Sequence, residues 1–148
     1  MTPRSLTSAA AMNDSRAGND SERAMVSFPQ GLPGFADCRT FVVFAAEAGE
    51  FQWLTSLEGP EASFLTVDPR RVVPTLRYAL APADLARLRA SEDTPLLWLA
   101  IVLVETDGTI AVNLRAPIVI NPQTMLGCQV MPQRSLYPVR HVISAPAV

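Results

Sequence analysis

Few side chains in this sequence could perform chemistry, and they are widely spaced. Cys38 and Cys128 show no CxxC spacing, and His141 is the only histidine. Catalytic zinc sites commonly need two or three clustered imidazole or thiolate ligands, so we predict no metal site and no cofactor. Either cysteine could form a nucleophilic dyad with His141, but such cysteines are more often buried and inert. We predict no catalytic residue and keep a small hydrolase using Cys128 and His141 as an alternative.

The clearest charge pattern is an acidic interval in the first half of the chain. No basic residue lies between Arg39 and Arg70, and the interval contains five carboxylates: Glu47, Glu50, Glu58, Glu61 and Asp68. These carboxylates could form an acidic face for a basic partner, or they could be ordinary solvated loop residues. Glu58 and Glu61 could in principle act as an acid-base pair, although an exposed turn is the simpler interpretation.

Binding to nucleic acid is not favoured by this composition. The net charge is −2, whereas broad nucleic-acid binding requires clustered cations that face phosphates. Phe51 and Trp53 share one face of a predicted strand and could stack on bases, but without basic neighbours they fit better as packing residues. A nucleic-acid-binding barrel is therefore a weak alternative.

The elements that position these residues are mostly short strands. Asp107-Gly108 favours a tight primed turn between two apolar runs, which predicts a hairpin. The run before the turn, residues 97–104, is continuously apolar, so we expect both of its faces to be covered. After the turn, apolar residues alternate with small or polar ones up to Pro117, which interrupts the ladder before a strand at residues 118–120.

The rest of the chain follows the same pattern. Further strands are predicted around residues 25–28, 39–44, 51–57, 62–67, 75–80 and 127–131, and one helix is predicted at residues 82–89. This spacing predicts a mainly β protein, a small antiparallel β-barrel-like domain with one or two short helices. Residues 1–24 have a polar composition typical of a disordered tail, so the folded domain should span residues 25–148. With no predicted membrane segment, we expect a cytoplasmic protein.

Several separated motifs resemble the flagellar assembly factor FliW family. The sequence Val-Asn-Leu-Arg-Ala-Pro-Ile-Val-Ile-Asn-Pro at residues 112–122 is similar to the family signature. The loop Phe-Pro-Gln-Gly-Leu-Pro-Gly-Phe at residues 28–35, the strands at 51–57 and 64–69, and the segments at 127–131 and 137–141 also resemble family segments in the same order. The motif positions that could contact partners or stabilise turns are Phe35, Asn113, Arg115 and Asn121.

The resemblance implies a non-enzymatic cytoplasmic protein that binds flagellin and the translational regulator CsrA. Family members hold flagellin until it is secreted, after which free FliW binds CsrA and relieves its repression of flagellin translation. Glu47, Glu50, Glu58, Glu61 and Asp68 are then the candidate CsrA-binding residues, because the RNA-binding surface of CsrA is expected to be basic. We expect flagellin to contact apolar surface through amphipathic helices, and we expect a monomer without direct contact to nucleic acid or membrane.

Two departures from the family pattern define a further alternative. Ala36 stands where the family often has an acidic residue, and Arg70-Arg71-Val72-Val73 replaces a more aromatic stretch. Either change could alter one partner surface. The chain could therefore be a divergent, chaperone-like copy that binds flagellin without antagonising CsrA.

Overall fold

The structure, a computed structural model, describes residues 23–47, 49–58, 62–132 and 136–145. Within these ranges the chain forms strands and two short helices, which confirms the predicted mainly β class. The strands are β1 (Ala24–Ser27), β2 (Thr40–Ala45), β3 (Phe51–Ser56), β4 (Ser63–Val67), β5 (Leu97–Val104), β6 (Ile110–Val112), β7 (Ile118–Asn121), β8 (Leu126–Gln129) and β9 (His141–Ser144). The helices are α1 (Pro69–Val72) and α2 (Pro82–Leu88).

Seven of these strands close into a barrel. The hydrogen-bonded order is β4-β3-β2-β1-β8-β7-β5, and a further pairing between β4 and β5 closes the ring. Every pairing is antiparallel except that between β1 and β8, which meet in parallel at Ser27 and Leu126. β6 and β9 extend from β5 as a small antiparallel flap, in which β9 is the last strand.

The barrel interior is filled by apolar side chains. Phe28 and Phe41 meet edge to face with ring centroids 5.1 Å apart, and both rings are fully buried. The remaining buried members of this interior cluster are Val26, Leu32, Cys38, Leu54, Ala62, Leu99, Ile118 and Ile120. A barrel filled in this way has a solid core, so its outer surface is what remains available to a partner.

Two further clusters cover the outside of the barrel. Leu88 of α2 packs with Val119, Cys128 and Val130, so this helix shields one side of β7 and β8. The other cluster lies between the barrel and the flap and contains Val67, Leu76, Ala100, Val102, Val112 and Leu114. These clusters explain why β5 is apolar on both faces in its middle section.

The predicted hairpin is present, but its turn differs from the predicted type. Val104 pairs with Ile110, and among the central residues only Gly108 has a positive φ, at +93°. The Gly108 N–H donates to the Glu105 carbonyl at 2.9 Å, and the Asp107 carboxylate accepts the Thr109 N–H at 2.9 Å. One positive φ is sufficient because the loop is longer than a two-residue primed turn.

Other expectations about individual elements were wrong. The segment at residues 75–80 is not a strand: its alternate residues Leu76 and Tyr78 do pack inward, but the Arg77 N–H donates to the Tyr137 hydroxyl instead of to a strand partner. Helix α1 and strand β9 were not predicted. The ends of β5 are also exposed, with Leu97 53% and Val104 61% exposed, because the core clusters cover only its centre, although both residues pair with neighbouring strands.

The predicted tail falls almost entirely outside the described residues. Residues 1–22 are not among them, and β1 begins at Ala24, one residue before the predicted start of the domain. Within the described part of the chain, no helix is long and apolar enough to cross a membrane.

Candidate partner-binding surfaces

Four of the five candidate CsrA-binding carboxylates are among the described residues, and they lie at two different ends of the barrel. Glu47 and Glu50 belong to the connection between β2 and β3, and the pairing of Phe51 with Val67 brings Asp68 to the same end. Glu58 follows β3 and lies at the other end. With a rise of about 3.3 Å per residue, β3 separates the two groups by roughly 17 Å or more. The acidic residues therefore do not form one continuous face, and Glu61 lies outside the described residues.

Glu58 uses its carboxylate within the fold. Its Oε1 accepts the backbone N–H groups of Arg39 at 2.6 Å and Thr40 at 3.0 Å. The Ser56 hydroxyl donates to the Glu58 carbonyl at 2.6 Å. These bonds join the end of β3 to the beginning of β2, so Glu58 has a structural task whether or not it also contacts a partner.

Asp68 also has a local role, as the N-cap of α1. Its Oδ1 accepts the Arg70 N–H at 2.9 Å, and Pro69 begins the helix with the fixed φ that suits a first helical position. Arg70 and Arg71 follow immediately and are exposed. The end of the barrel that contains Glu47, Glu50 and Asp68, which we call the acidic end, is therefore bordered by positive charge.

Phe35 anchors the loop that connects β1 and β2. Its ring packs edge to face on Phe64 with centroids 5.5 Å apart, and its N–H donates to the Leu32 carbonyl at 2.7 Å. Gly31 has a φ of +66° and approaches the carbonyl oxygens of Phe35 and Ala36 so closely that a Cβ would lie 2.6 Å from each. Phe35 is half-buried against the core, and its contacts are structural.

Asn113 and Arg115 stabilise the turn between β6 and β7. The Asn113 Oδ1 accepts the N–H groups of Arg115 at 3.0 Å and Ala116 at 3.1 Å, which is the local turn role expected of this residue type. The Arg115 Nε donates to the Tyr137 carbonyl at 2.9 Å, while the side chain remains largely exposed. Arg115 thus connects this turn to the segment that precedes β9.

Asn121 is buried and completes the hydrogen bonds at the end of α2. Its Nδ2 donates to the carbonyls of Leu88 at 2.8 Å and Arg89 at 3.3 Å, and its Oδ1 accepts the Gln123 N–H at 2.9 Å. The last carbonyls of a helix have no partner within the helix. The Asn121 side chain on β7 provides a hydrogen-bond donor for these carbonyls, and so it attaches the helix to the barrel wall.

The possible cysteine nucleophiles are in unsuitable surroundings. Cys38 lies in the barrel core, and burial raises the pKa of the Cys128 thiol above its ordinary value, which disfavours the reactive thiolate. Three strands lie between β8, which carries Cys128, and β9, which carries His141, in the hydrogen-bonded order. Among the described side chains, no three potential metal ligands are grouped together.

With this geometry established, comparison with known proteins decides the family. The sequence profile described as "FliW protein" matches residues 12–143. The chain belongs to the FliW family. That match covers most of the chain, including all nine strands except the last residue of β9.

FliW relatives agree with this assignment along nearly the whole domain. The chain is 30% identical over 121 residues to a "Flagellar assembly factor FliW" of Geotalea uraniireducens, covering 81% of this chain and 74% of the relative. It is 32% identical over 128 residues to the Thermotoga petrophila protein of the same name, covering 84% and 85%. A crystal structure of the flagellar assembly factor FliW superposes with a TM-score of 0.73 at 32% identity, over 80% of this chain and 84% of the other.

Two further surfaces of this FliW chain were not predicted. A groove of about 400 Å³ lies between the loop at residues 29–36, Arg87 and β8. Arg87 donates to Gln30 at 2.9 Å and to the Asp84 carboxylate at 2.8 Å, so its charge is already paired. The end of β5 and strand β9 of the flap also carry exposed apolar side chains, which we call the apolar rim: Leu103, Val104, Val142 and Ile143.

A smaller cavity of about 180 Å³ lies beside α1. We call it the arginine-aromatic pocket, and its lining residues are Arg70, Leu76, Arg77, Tyr78 and Trp98. The arginine pair of α1 is visible in the sequence as a departure from the family pattern. The position of Trp98 beside it depends on the fold, because Trp98 comes from β5.

Proposed function

We propose that this chain is a non-enzymatic flagellar assembly factor that binds flagellin and antagonises CsrA in the cytoplasm. The observation that carries the proposal is the FliW family match over residues 12–143. In this scheme the two partners compete: flagellin occupies the protein while it accumulates, and secretion of flagellin releases the protein to bind CsrA. Competition of this kind requires only that each ligand lowers the apparent affinity for the other.

The solid barrel supports a binding role over a catalytic one. Its interior is packed with apolar side chains, and the thiol of Cys128 is held in its less reactive protonated form by burial. The outside offers charged and apolar features instead. A protein of this design would act through its surface, most simply as a monomer before it meets a partner.

The acidic end is the best candidate for CsrA. Glu47 and Glu50 are exposed, and neither makes a side-chain hydrogen bond within the described ranges. Their charges are therefore free to attract a basic surface during diffusional encounter. Glu58 is a weaker candidate because its carboxylate is already bound by two backbone N–H groups.

The apolar rim supports the expected contact with flagellin. Leu103 is 54% and Val142 is 41% exposed, and the register of β5, β6 and β9 places them in one row on either side of Ala111. Amphipathic helices dock on such surfaces through apolar side chains spaced along one face.

The central experiment mixes the purified chain with flagellin, with CsrA and with the flagellin messenger leader RNA, and follows complexes by size-exclusion chromatography. We expect one-to-one co-elution with flagellin and a separate complex with CsrA. Binding to flagellin alone would identify the flagellin-only copy, an alternative favoured by the positive charge of Arg70 and Arg71 beside the acidic end. Binding to RNA alone would contradict the assignment and favour a nucleic-acid module.

The role of the acidic end is tested by association kinetics. We expect the double variant Glu47→Gln/Glu50→Gln to associate more slowly with CsrA, and we expect its association rate to depend less on salt concentration. Both effects follow because the variant has lost the electrostatic attraction that accelerates encounter. The matched control is Glu92→Gln/Asp93→Asn, which removes the same charge from an exposed loop after α2. Equal association rates for the two double variants across a salt series would exclude the acidic end.

A further inference from the structure

We propose that the arginine-aromatic pocket binds an acidic side chain of a partner protein, at a site separate from the acidic end. The pocket joins three parts of the chain: Arg70 from α1, Arg77 and Tyr78 from the segment before α2, and Trp98 from β5. Its volume of about 180 Å³ suits one or two side chains of a peptide rather than a large cofactor. This inference goes beyond the proposed function and does not depend on which partner supplies the segment.

The two arginines of the pocket have charges available for a ligand. Ion pairs do form elsewhere in the described ranges, between Arg87 and Asp84 and between Arg140 and Glu105. No carboxylate of those ranges lies within ion-pair distance of Arg70 or Arg77. A guanidinium group has a planar arrangement of donors that matches a carboxylate, so two unpaired arginines at one cavity favour an acidic ligand.

The aromatic wall of the pocket is held rigidly before any ligand arrives. Tyr78 stacks on Trp98 with centroids 4.9 Å apart and planes 26° apart, and Tyr137 meets Tyr78 edge to face at 5.5 Å. The Tyr78 hydroxyl donates to the Leu114 carbonyl at 2.6 Å. Burial raises the pKa of Tyr78, with a smaller contribution from Tyr137, so the wall remains neutral beside a bound anion. A fixed wall lowers the entropy cost of binding.

A peptide carboxylate fits this site better than the phosphates of a nucleic acid. A nucleic acid needs a track of cations along its backbone, whereas this pocket presents two arginines around one small cavity. Asp68, which belongs to the acidic end, lies directly before α1, and the negative charge of that end would repel an extended phosphate chain. A short acidic segment can place one side chain in the pocket and avoid that repulsion.

The test follows the arginine Nε–H and tryptophan indole N–H signals of the full chain by NMR during titration with an acetylated and amidated Gly-Gly-Glu-Glu-Gly-Gly peptide, whose carboxylates are confined to two adjacent side chains. We expect saturable shifts of the Arg70, Arg77 and Trp98 signals, whereas the Trp53 signal should stay unchanged. Arg70→Gln and Arg77→Gln should each weaken binding about tenfold or more, since each removes a charge-assisted hydrogen bond. Arg71→Gln is the matched control, because Arg71 is an exposed neighbour on α1 that does not line the pocket.

Three results would overturn the proposal. One is the absence of shifts at Arg70 and Arg77 with peptide at millimolar concentration and low salt. Another is an equal loss of peptide affinity in Arg71→Gln, which would show that affinity depends on overall charge and not on the pocket. The third is tighter binding of a uridine dodecamer than of the peptide, lost in Arg70→Gln, which would assign the pocket to nucleic acid. Failure here would leave flagellin and CsrA binding to be judged separately by co-elution.

Discussion

At the scale of single residues, several candidate polar residues of this FliW chain form hydrogen bonds with the backbone. Asn113, Asn121 and Glu58 each bind main-chain groups, in a turn, at a helix end and at a strand entrance. The sequence predicted such a role for the two asparagines, because short polar side chains satisfy nearby backbone groups. It could not predict that Asn121 reaches α2, more than thirty residues earlier, since that contact exists only once β7 and α2 are packed together.

Asn121 should contribute more to stability than Asn113. Asn121→Ala removes a buried donor to the carbonyls of Leu88 and Arg89, so we expect the free energy of unfolding to fall by about 2–4 kcal/mol. Asn113→Ala is the control and should cost only about 1 kcal/mol, because its bonds lie in a more exposed turn. Urea unfolding followed by tryptophan fluorescence measures both, and an equal or smaller loss for Asn121→Ala would refute the capping role.

The carboxylates can be sorted in the same way into structural and free groups. Glu58→Ala leaves the N–H groups of Arg39 and Thr40 without their acceptor, and we expect a loss of about 1–2 kcal/mol in unfolding free energy. Glu50→Ala should change stability by no more than about 0.5 kcal/mol. If Glu58→Ala unfolds at the same urea concentration as Glu50→Ala, the carboxylate of Glu58 is free for a partner after all.

At the scale of elements, local sequence signals explain the barrel strands better than the flap and the segment at residues 75–80, which we call the crossing segment. Glycine, proline and acidic residues mark the ends of β2, β3 and β4, and their alternating or apolar runs were sufficient to predict them. The segment at residues 75–80 has the same two-residue pattern because Leu76 and Tyr78 pack on the barrel, yet no strand of the described ranges pairs with it. The alternation of apolar residues indicates which side chains are buried, whereas strand formation also needs a neighbouring strand for hydrogen bonding.

Strand β9 illustrates the opposite limitation. It is short and has mostly exposed side chains, so the sequence carries little burial signal, and its pairing with β6 depends on contacts thirty residues away. The division of the acidic residues between two ends of the barrel was equally hidden. Their spacing in sequence looks continuous, but the length of β3 separates Glu58 from Glu50, and the reversal of direction between β3 and β4 returns Asp68 to the end that contains Glu50.

The loop between β1 and β2 allows a matched test of close packing. Gly31 and Gly34 both have positive φ angles, +66° and +84°, but only at Gly31 would a Cβ meet backbone oxygens, at 2.6 Å. Gly34→Ala should therefore cost about 1–2 kcal/mol of unfolding free energy through its backbone conformation alone. Gly31→Ala should cost at least about 1–3 kcal/mol more, because backbone atoms must move. Thermal and urea unfolding compare the two variants, and similar losses would contradict the described loop geometry.

At the scale of the whole molecule, a closed and filled barrel separates stability from binding. The core clusters and the Asn121 cap stabilise the fold, while Glu47, Glu50, the apolar rim and the arginine-aromatic pocket remain on the outside. The sequence could predict the barrel class and the family, because both depend on motifs and spacing. It could not predict the pocket, which combines residues from α1, the crossing segment and β5.

The competition between the two proposed partners is the most direct test of the account. A preformed complex of this chain with labelled CsrA is titrated with purified flagellin, and the fluorescence anisotropy of CsrA is recorded. We predict that flagellin lowers the anisotropy of labelled CsrA to the value of free CsrA. One equivalent of flagellin per chain should be sufficient when its concentration exceeds the dissociation constant of the flagellin complex. Unchanged anisotropy at saturating flagellin, or a rise that indicates a ternary complex, would contradict a switch in which this barrel holds one partner at a time.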